Sequence, residues 1–189
     1  MADAAQRAPS GWQDDVRRFW FGELQPSAWF RRDPELDRRI SGRFTGLHAA
    51  LAETPAAALA ADAPTALAAI VVLDQFSRNM FRRSPRAFAS DALAREVARL
   101  ALAARLDESL SGPERLFVYL PFEHSEDMAD QDRSVALISA LGDAGYTRYA
   151  VAHRDIVARF GRFPHRNGVL GRASTPAEEA FLAGPGSSF

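Results

Sequence analysis

From Ala66 to Leu73 every side chain is apolar. A helix over this run has no polar face, so the rest of the chain must enclose it. The run is far shorter than the ~20 residues needed to cross a bilayer, so it reads as a core helix and not a membrane span. A chain of 189 residues, 47% hydrophobic and 25% charged, can build one globular domain around such a core. The surrounding signals are helical. Ser10 with Gln13, Ser111 with Glu114 and Thr175 with Glu178 have the spacing of a capping box. Asp33-Pro34, Ser84-Pro85, Gly112-Pro113 and Thr175-Pro176 put proline where a first helical turn tolerates it. No stretch alternates as a half-buried strand does, and β-branched residues cluster only at Ile70 to Val72.

These signals predict helices over about 11–21, 34–53, 64–81, 86–105, 113–128, 130–142, 144–160 and 175–183. The Ala-rich stretch from Ala52 to Pro64 fits either a helix or a loose connection. The fold class expected is all-α: antiparallel helices stacked in one domain over 1–189, α-solenoid-like, with a flexible N-terminus over 1–10.

Composition removes several functions. The formal net charge is −1 and the sequence pI about 6.4, so the basic excess of a nucleic-acid binder is missing. Without cysteine there is no disulfide, thiolate metal site or cysteine nucleophile. The sequence also lacks lysine, which excludes Schiff-base chemistry and makes every fixed side-chain cation an arginine. Met1 to Gly11 has no apolar segment like that of a signal peptide, so a cytoplasmic protein with no membrane partner is expected.

Two predicted helices change character midway. After Leu73 come Asp74, Gln75, Arg78 and Asn79, with Arg82 beyond. Asp74, Arg78 and Arg82 are spaced by four, as are Gln75 and Asn79, so each set shares a helix face. Leu116 to Phe122 is apolar apart from the Tyr119 hydroxyl, and Glu123-His124-Ser125-Glu126-Asp127 follows at once. Buried polar groups need partners, so these sets are expected to be neighbours. Pro121 would kink a helix that runs through it. A further helix carries His153 and ends at Phe160-Gly161, where glycine fits a left-handed cap. The exit loop reads Arg162-Phe163-Pro164-His165-Arg166-Asn167.

Asp74 to Arg82, Pro121 to Asp127 and Phe160 to Asn167 resemble the signatures of the bacterial domain-of-unknown-function family 924. Phe19-Trp20-Phe21-Gly22, Trp29-Phe30, Ala87 to Asp91, Leu170-Gly171-Arg172, Thr175 to Glu179 and the end Gly186-Ser187-Ser188-Phe189 are similar as well. The match runs in order along almost the whole chain. One departure is the lack of a tryptophan between Ala52 and Ala63, which bears on local packing. The resemblance implies an all-helical, TPR-like fold. It implies no reaction, substrate or cofactor.

Three chemistries fit the polar residues. Arg78, Arg82, Arg162 and Arg166 could hold a phosphate or carboxylate through planar forks, with Gln75, Asn79 and Asn167 adding neutral hydrogen bonds. Against this, Asp74, Glu123, Glu126 and Asp127 could neutralise the same arginines in a network that only fixes helix register. A metal could use His124, His153 and His165 with Glu123 or Glu126, but no recognised zinc spacing occurs, and no metal or other cofactor is assigned. Acid–base chemistry could use His124 or His165 as proton carrier. The Phe19 to Phe21 and Trp29-Phe30 aromatics are expected to pack in a core. His48, outside the motifs, is read as a surface residue, and the Arg17-Arg18, Arg31-Arg32 and Arg38-Arg39 pairs as solvated faces.

Two functional readings result. The first is a protein that binds a small anionic molecule, or an enzyme that acts on one, where the polar motifs meet. Its binding residues are Asp74, Gln75, Arg78, Asn79, Arg82, Glu123, Glu126, His153, Arg162, Arg166 and Asn167, with His124 and His165 as catalytic residues. The second is a helical module that takes a protein or peptide partner, a fold analogy alone.

Overall fold

The computed structural model describes residues 8–185. The flexible N-terminus expected over 1–10 falls largely outside that range, as does the motif Gly186 to Phe189. The described chain is helical, with no strand. By compactness it divides into two units, one holding 86–121 and the residues up to 82, the other 83–85 and everything from 122 onward. No helix of the described residues is long and apolar enough to cross a membrane.

In the first unit, α1 (Trp12–Arg17) continues as a π-helical turn, Arg18–Glu23. Helix α2 (Pro34–Ala52) follows, capped by the Asp33 carboxylate, which accepts from the Glu35 and Leu36 N–H groups. The Ala-rich stretch forms one short helix, α3 (Ala56–Leu59), and Leu59 anchors it with only 2% exposure. Helix α4 (Ala63–Ile70) passes through a second π-helical stretch, Val71–Phe76, into α5 (Ser77–Met80). As the apolar run requires, Ala66 to Leu73 is buried throughout. It lies among α1, α2 and α6 (Asp91–Ala103). Helix α7 (Gly112–Glu123) runs through Pro121 and ends two residues later.

The core of this unit is aromatic. Phe76 meets Phe44 at 4.7 Å, Trp20 at 5.5 Å and Phe19 at 5.9 Å between ring centroids, and Trp20 meets Phe117 at 5.6 Å. The expectation therefore holds for Phe19, Trp20 and Trp29, whereas Phe21 is half-buried and Phe30 lies 56% exposed, stacked on Phe117.

In the second unit, α8 (Met128–Ser139) packs along α9 (Ala144–Phe160), and α10 (Pro176–Leu182) closes the described chain. Asp127 and Asp143 cap α8 and α9 through their carboxylates. Gly161 ends α9 at φ 68°, the left-handed geometry that glycine adopts without strain. Of the capping boxes expected, Thr175 with Glu178 is complete. Glu114 bonds back to the Ser111 N–H. Ser10 with Gln13 is not formed: α1 is capped at Gly11, and Gln13 donates to the Thr65 hydroxyl instead. The fourth predicted helix begins at Asp91 and not 86, because residues 85–88 form a separate 3-10 turn.

Candidate functional site

The Asp74 to Arg82 residues lie in the first unit. Asp74 is fully buried at the end of the apolar run. It accepts from Gln75 Nε2 at 2.6 Å and contacts Arg78 Nη1 at 3.0 Å. Arg78 also forks onto Asp91 at 2.9 and 3.0 Å. These two carboxylates outweigh burial and raise the Arg78 pKa, so the guanidinium stays charged. Arg82 forks onto Asp37 at 2.6 and 2.8 Å, and Asn79 donates to the same carboxylate at 2.8 Å. Asp37 and Asp91 were not among the expected partners. Helix position explains both: Asp37 stands one turn into α2, and Asp91 opens α6.

His48 corrects the sequence reading. It is only 9% exposed, because Ile40, Phe44, Leu47, His48 and Leu51 share the buried face of α2. Its Nε2 sits 2.6 Å from Ser77 Oγ and 3.3 Å from Ser90 Oγ. Both hydroxyls donate to the Leu73 carbonyl, at 2.7 and 2.6 Å, inside the π-helical stretch. The two hydroxyls also lie 2.8 Å from each other, so His48, Ser77, Ser90 and the Leu73 carbonyl form one closed hydrogen-bond network. His48 thus ties α2 to the widened turn through the two serines. Burial, and then Arg86, lower its pKa, which keeps it neutral.

The Glu123 to Asp127 and Arg162 to Asn167 residues come together in the second unit. Glu126 accepts from the Phe163 N–H at 2.8 Å and takes a forked pair from Arg172 at 2.7 and 3.0 Å. Arg172 also donates to the Phe163 carbonyl at 3.1 Å and to Asn167 Oδ1 at 3.0 Å. Both backbone groups of Phe163 are thus clamped. Burial works against the Glu126 charge, but Arg172 and the Phe163 N–H overcome it and hold the pKa low. Arg162 forks onto Glu178 at 2.6 and 2.8 Å and donates to the Ala173 carbonyl. That pairing, with the Thr175 N–H, holds Glu178 at a pKa of about 2. Asp127 serves as the α8 cap. Arg172 and Glu178 were missed as partners, although both lie in quoted motifs.

Around the clamped Phe163 stand the remaining expected residues. His153 meets its ring at 5.6 Å, His165 at 5.6 Å, and the Arg166 guanidinium carbon lies 4.5 Å from its centroid. The His124 and His153 rings are 6.3 Å apart. His153 Nδ1 lies 2.8 Å from the Tyr149 carbonyl and 3.3 Å from Glu123 Oε1, so Nδ1 carries the proton. Burial drives the His153 pKa down to about 3; the Tyr149 contact opposes this, and His124, Arg166 and His165 add to it. His153, Glu123 and Arg166 are buried, while His124 and His165 are half-buried. Among the described residues, His, Asp and Glu side chains form no group of three or more placed to hold a metal ion.

A family model described as a bacterial protein of unknown function, DUF924, matches residues 16–186. Among solved structures, the protein of unknown function ATU0120 from Agrobacterium tumefaciens is similar. It is 41% identical, the match covers 90% of this chain and 96% of that one, and the TM-score is 0.85. No curated protein matches the chain.

Proposed function

We propose, for a chain that belongs to the bacterial family of unknown function DUF924, that the second unit binds a small anion at the cluster of His124, His153, His165 and Arg166. One observation carries the reading: the Arg166 guanidinium carbon lies 4.5 Å from the Phe163 ring centroid, with His153 and His165 each 5.6 Å from the same ring and His124 6.3 Å from His153. Burial keeps the His153 ring neutral, so the fixed positive charge that would attract an anion to this cluster is the Arg166 guanidinium. The guanidinium of Arg166 suits carboxylate or phosphate oxygens. The half-buried rings of His124 and His165 give solvent access to the cluster. Acid–base chemistry here would fall to His124 or His165, because a group with a pKa near 3 is a poor base at neutral pH.

The test is a thermal-shift screen of the whole protein against phosphate, nucleotides, small carboxylates, divalent metals and a chelator. A ligand at 100 times its Kd stabilises the folded state by about 2.7 kcal/mol, a visible rise in Tm. The expected result is a shift with an anion that disappears in both His124→Ala and Arg166→Ala, each variant remaining folded. A panel with no anion response, or one in which neither variant removes any of the responses, would refute the site.

A further inference from the structure

Outside that cluster, the second unit has an open cavity of about 470 Å³ lined by Arg159, Phe160, Arg162, Thr175, Ala177 and Glu178. The volume lies within the range of small-molecule sites. Its chemistry is uneven. Arg162 and Glu178 neutralise each other through their forked pair. Arg159 has no carboxylate partner among the described residues, and its guanidinium carbon lies 4.7 Å from the centroid of the Phe160 ring. Asp155, one turn before it, is engaged by Arg154. The lining therefore carries one uncompensated cation. The Phe160 ring is backed by Phe181 at 5.1 Å, and both pack on the buried Ile156, Val157 and Phe163. Thr175 Oγ1 accepts from the Glu178 N–H at 3.2 Å, which leaves its own proton to donate.

We propose that this cavity binds a planar organic monocarboxylate. The carboxylate pairs with Arg159, matching the single spare positive charge. The flat apolar body lies against the Phe160 side of the cavity, and the Thr175 hydroxyl donates to a carboxylate oxygen. A guanidinium already resting on an aromatic ring is partly ordered before the ligand arrives, so less freedom is lost on binding. Inorganic phosphate has no apolar body for the aromatic wall and at neutral pH carries more charge than the cavity balances.

The experiment is titration of the whole protein with benzoate, acetate and phosphate, followed by amide shifts in two-dimensional NMR. Benzoate is expected to move the amides around residues 159–162 and 175–178 and to bind at least about tenfold tighter than acetate. Arg159→Gln should weaken benzoate at least about tenfold, since one charge-assisted fork is lost. Ala177→Leu keeps every charge but fills the cavity, and should also abolish binding. Both positions are exposed, so the fold is expected to survive, with Tm as the check. Read at those amides, the proposal is overturned if benzoate binds no better than acetate or phosphate, or if either variant binds it like the wild type. His124→Ala and Arg166→Ala should leave the benzoate-induced shifts of amides 159–162 and 175–178 unchanged, so this cavity and the histidine cluster succeed or fail separately.

Discussion

Mild acid is predicted to cost this fold stability through His153. The imidazole has an ordinary pKa of 6.5 in the unfolded chain and about 3 in the folded one. Between those values the unfolded chain binds a proton that the folded chain refuses. Stability from this residue is therefore complete above 6.5 and is lost as pH falls from 6.5 towards 3. Each pH unit in the window is worth about 1.4 kcal/mol, so acidification by about two units removes roughly 3 kcal/mol at most. Glu123, His124, His165 and Arg166 are the charged or titratable groups that face the ring. The assay is urea unfolding of wild type and His153→Asn at about pH 7.5, 6.5, 5.5 and 4.5. The introduced amide N–H stands in for Nδ1–H and does not titrate. His48, with its pKa lowered in the same direction, contributes equally to both proteins, as do the lowered Glu114, Glu126 and Glu178. The wild-type stability should approach or cross that of the variant as pH falls, with a difference that changes by about 1–3 kcal/mol. Curves that stay parallel across the range would refute a buried neutral His153.

Two further outcomes concern the frame. Ser77 and Ser90 both reach the Leu73 carbonyl, His48 Nε2 and each other. Either alone can serve, so each single alanine variant should cost about 1 kcal/mol, whereas the double variant orphans two buried groups. It should exceed the sum of the singles by about 1–2 kcal/mol in chemical denaturation, and additivity within about 0.5 kcal/mol would argue against a shared network. Phe76 is fully buried against Phe19, Trp20 and Phe44, so Phe76→Ala should lower unfolding free energy by about 3–5 kcal/mol, measured in the same way.

Much of the helical order was legible because it rests on local signals. Asp33-Pro34, Gly161 and the Thr175–Glu178 box each act within one turn, and each sits where its residue type predicts. The apolar run from Ala66 to Leu73 announced its own burial. Partner choice was not legible, because it depends on which helices pack. Spacing by four placed Arg82 with Asp74 and Arg78, but α5 ends at Met80 and Phe81 leaves helical geometry at φ −117° and ψ 29°, so Arg82 leaves that face and meets Asp37. The π-helical stretches at Arg18–Glu23 and Val71–Phe76 also escaped the reading, since one residue more per turn leaves no mark in composition. His48 shows the cost of weighing a residue by motif membership: its four-residue spacing from Phe44 already placed it on the buried face.

The ion pairs themselves separate frame from site. Arg78, Arg82, Arg162 and Arg172 each fork onto a carboxylate, so their donors are largely spent within the fold. Such pairs contribute geometry more than stability. The Glu126–Arg172 clamp shows what that geometry is for. It grips the N–H and the carbonyl of Phe163, and Phe163 meets His153, His165 and Arg166 with its ring. A binding group is useful only when its support is rigid, and here the support is a buried aromatic fixed at both backbone ends. The two readings of the arginines, structural network and ligand site, are therefore not rivals in this unit. The forked arginines hold the loop, and the residues they hold around Phe163 are those of the anion site proposed above.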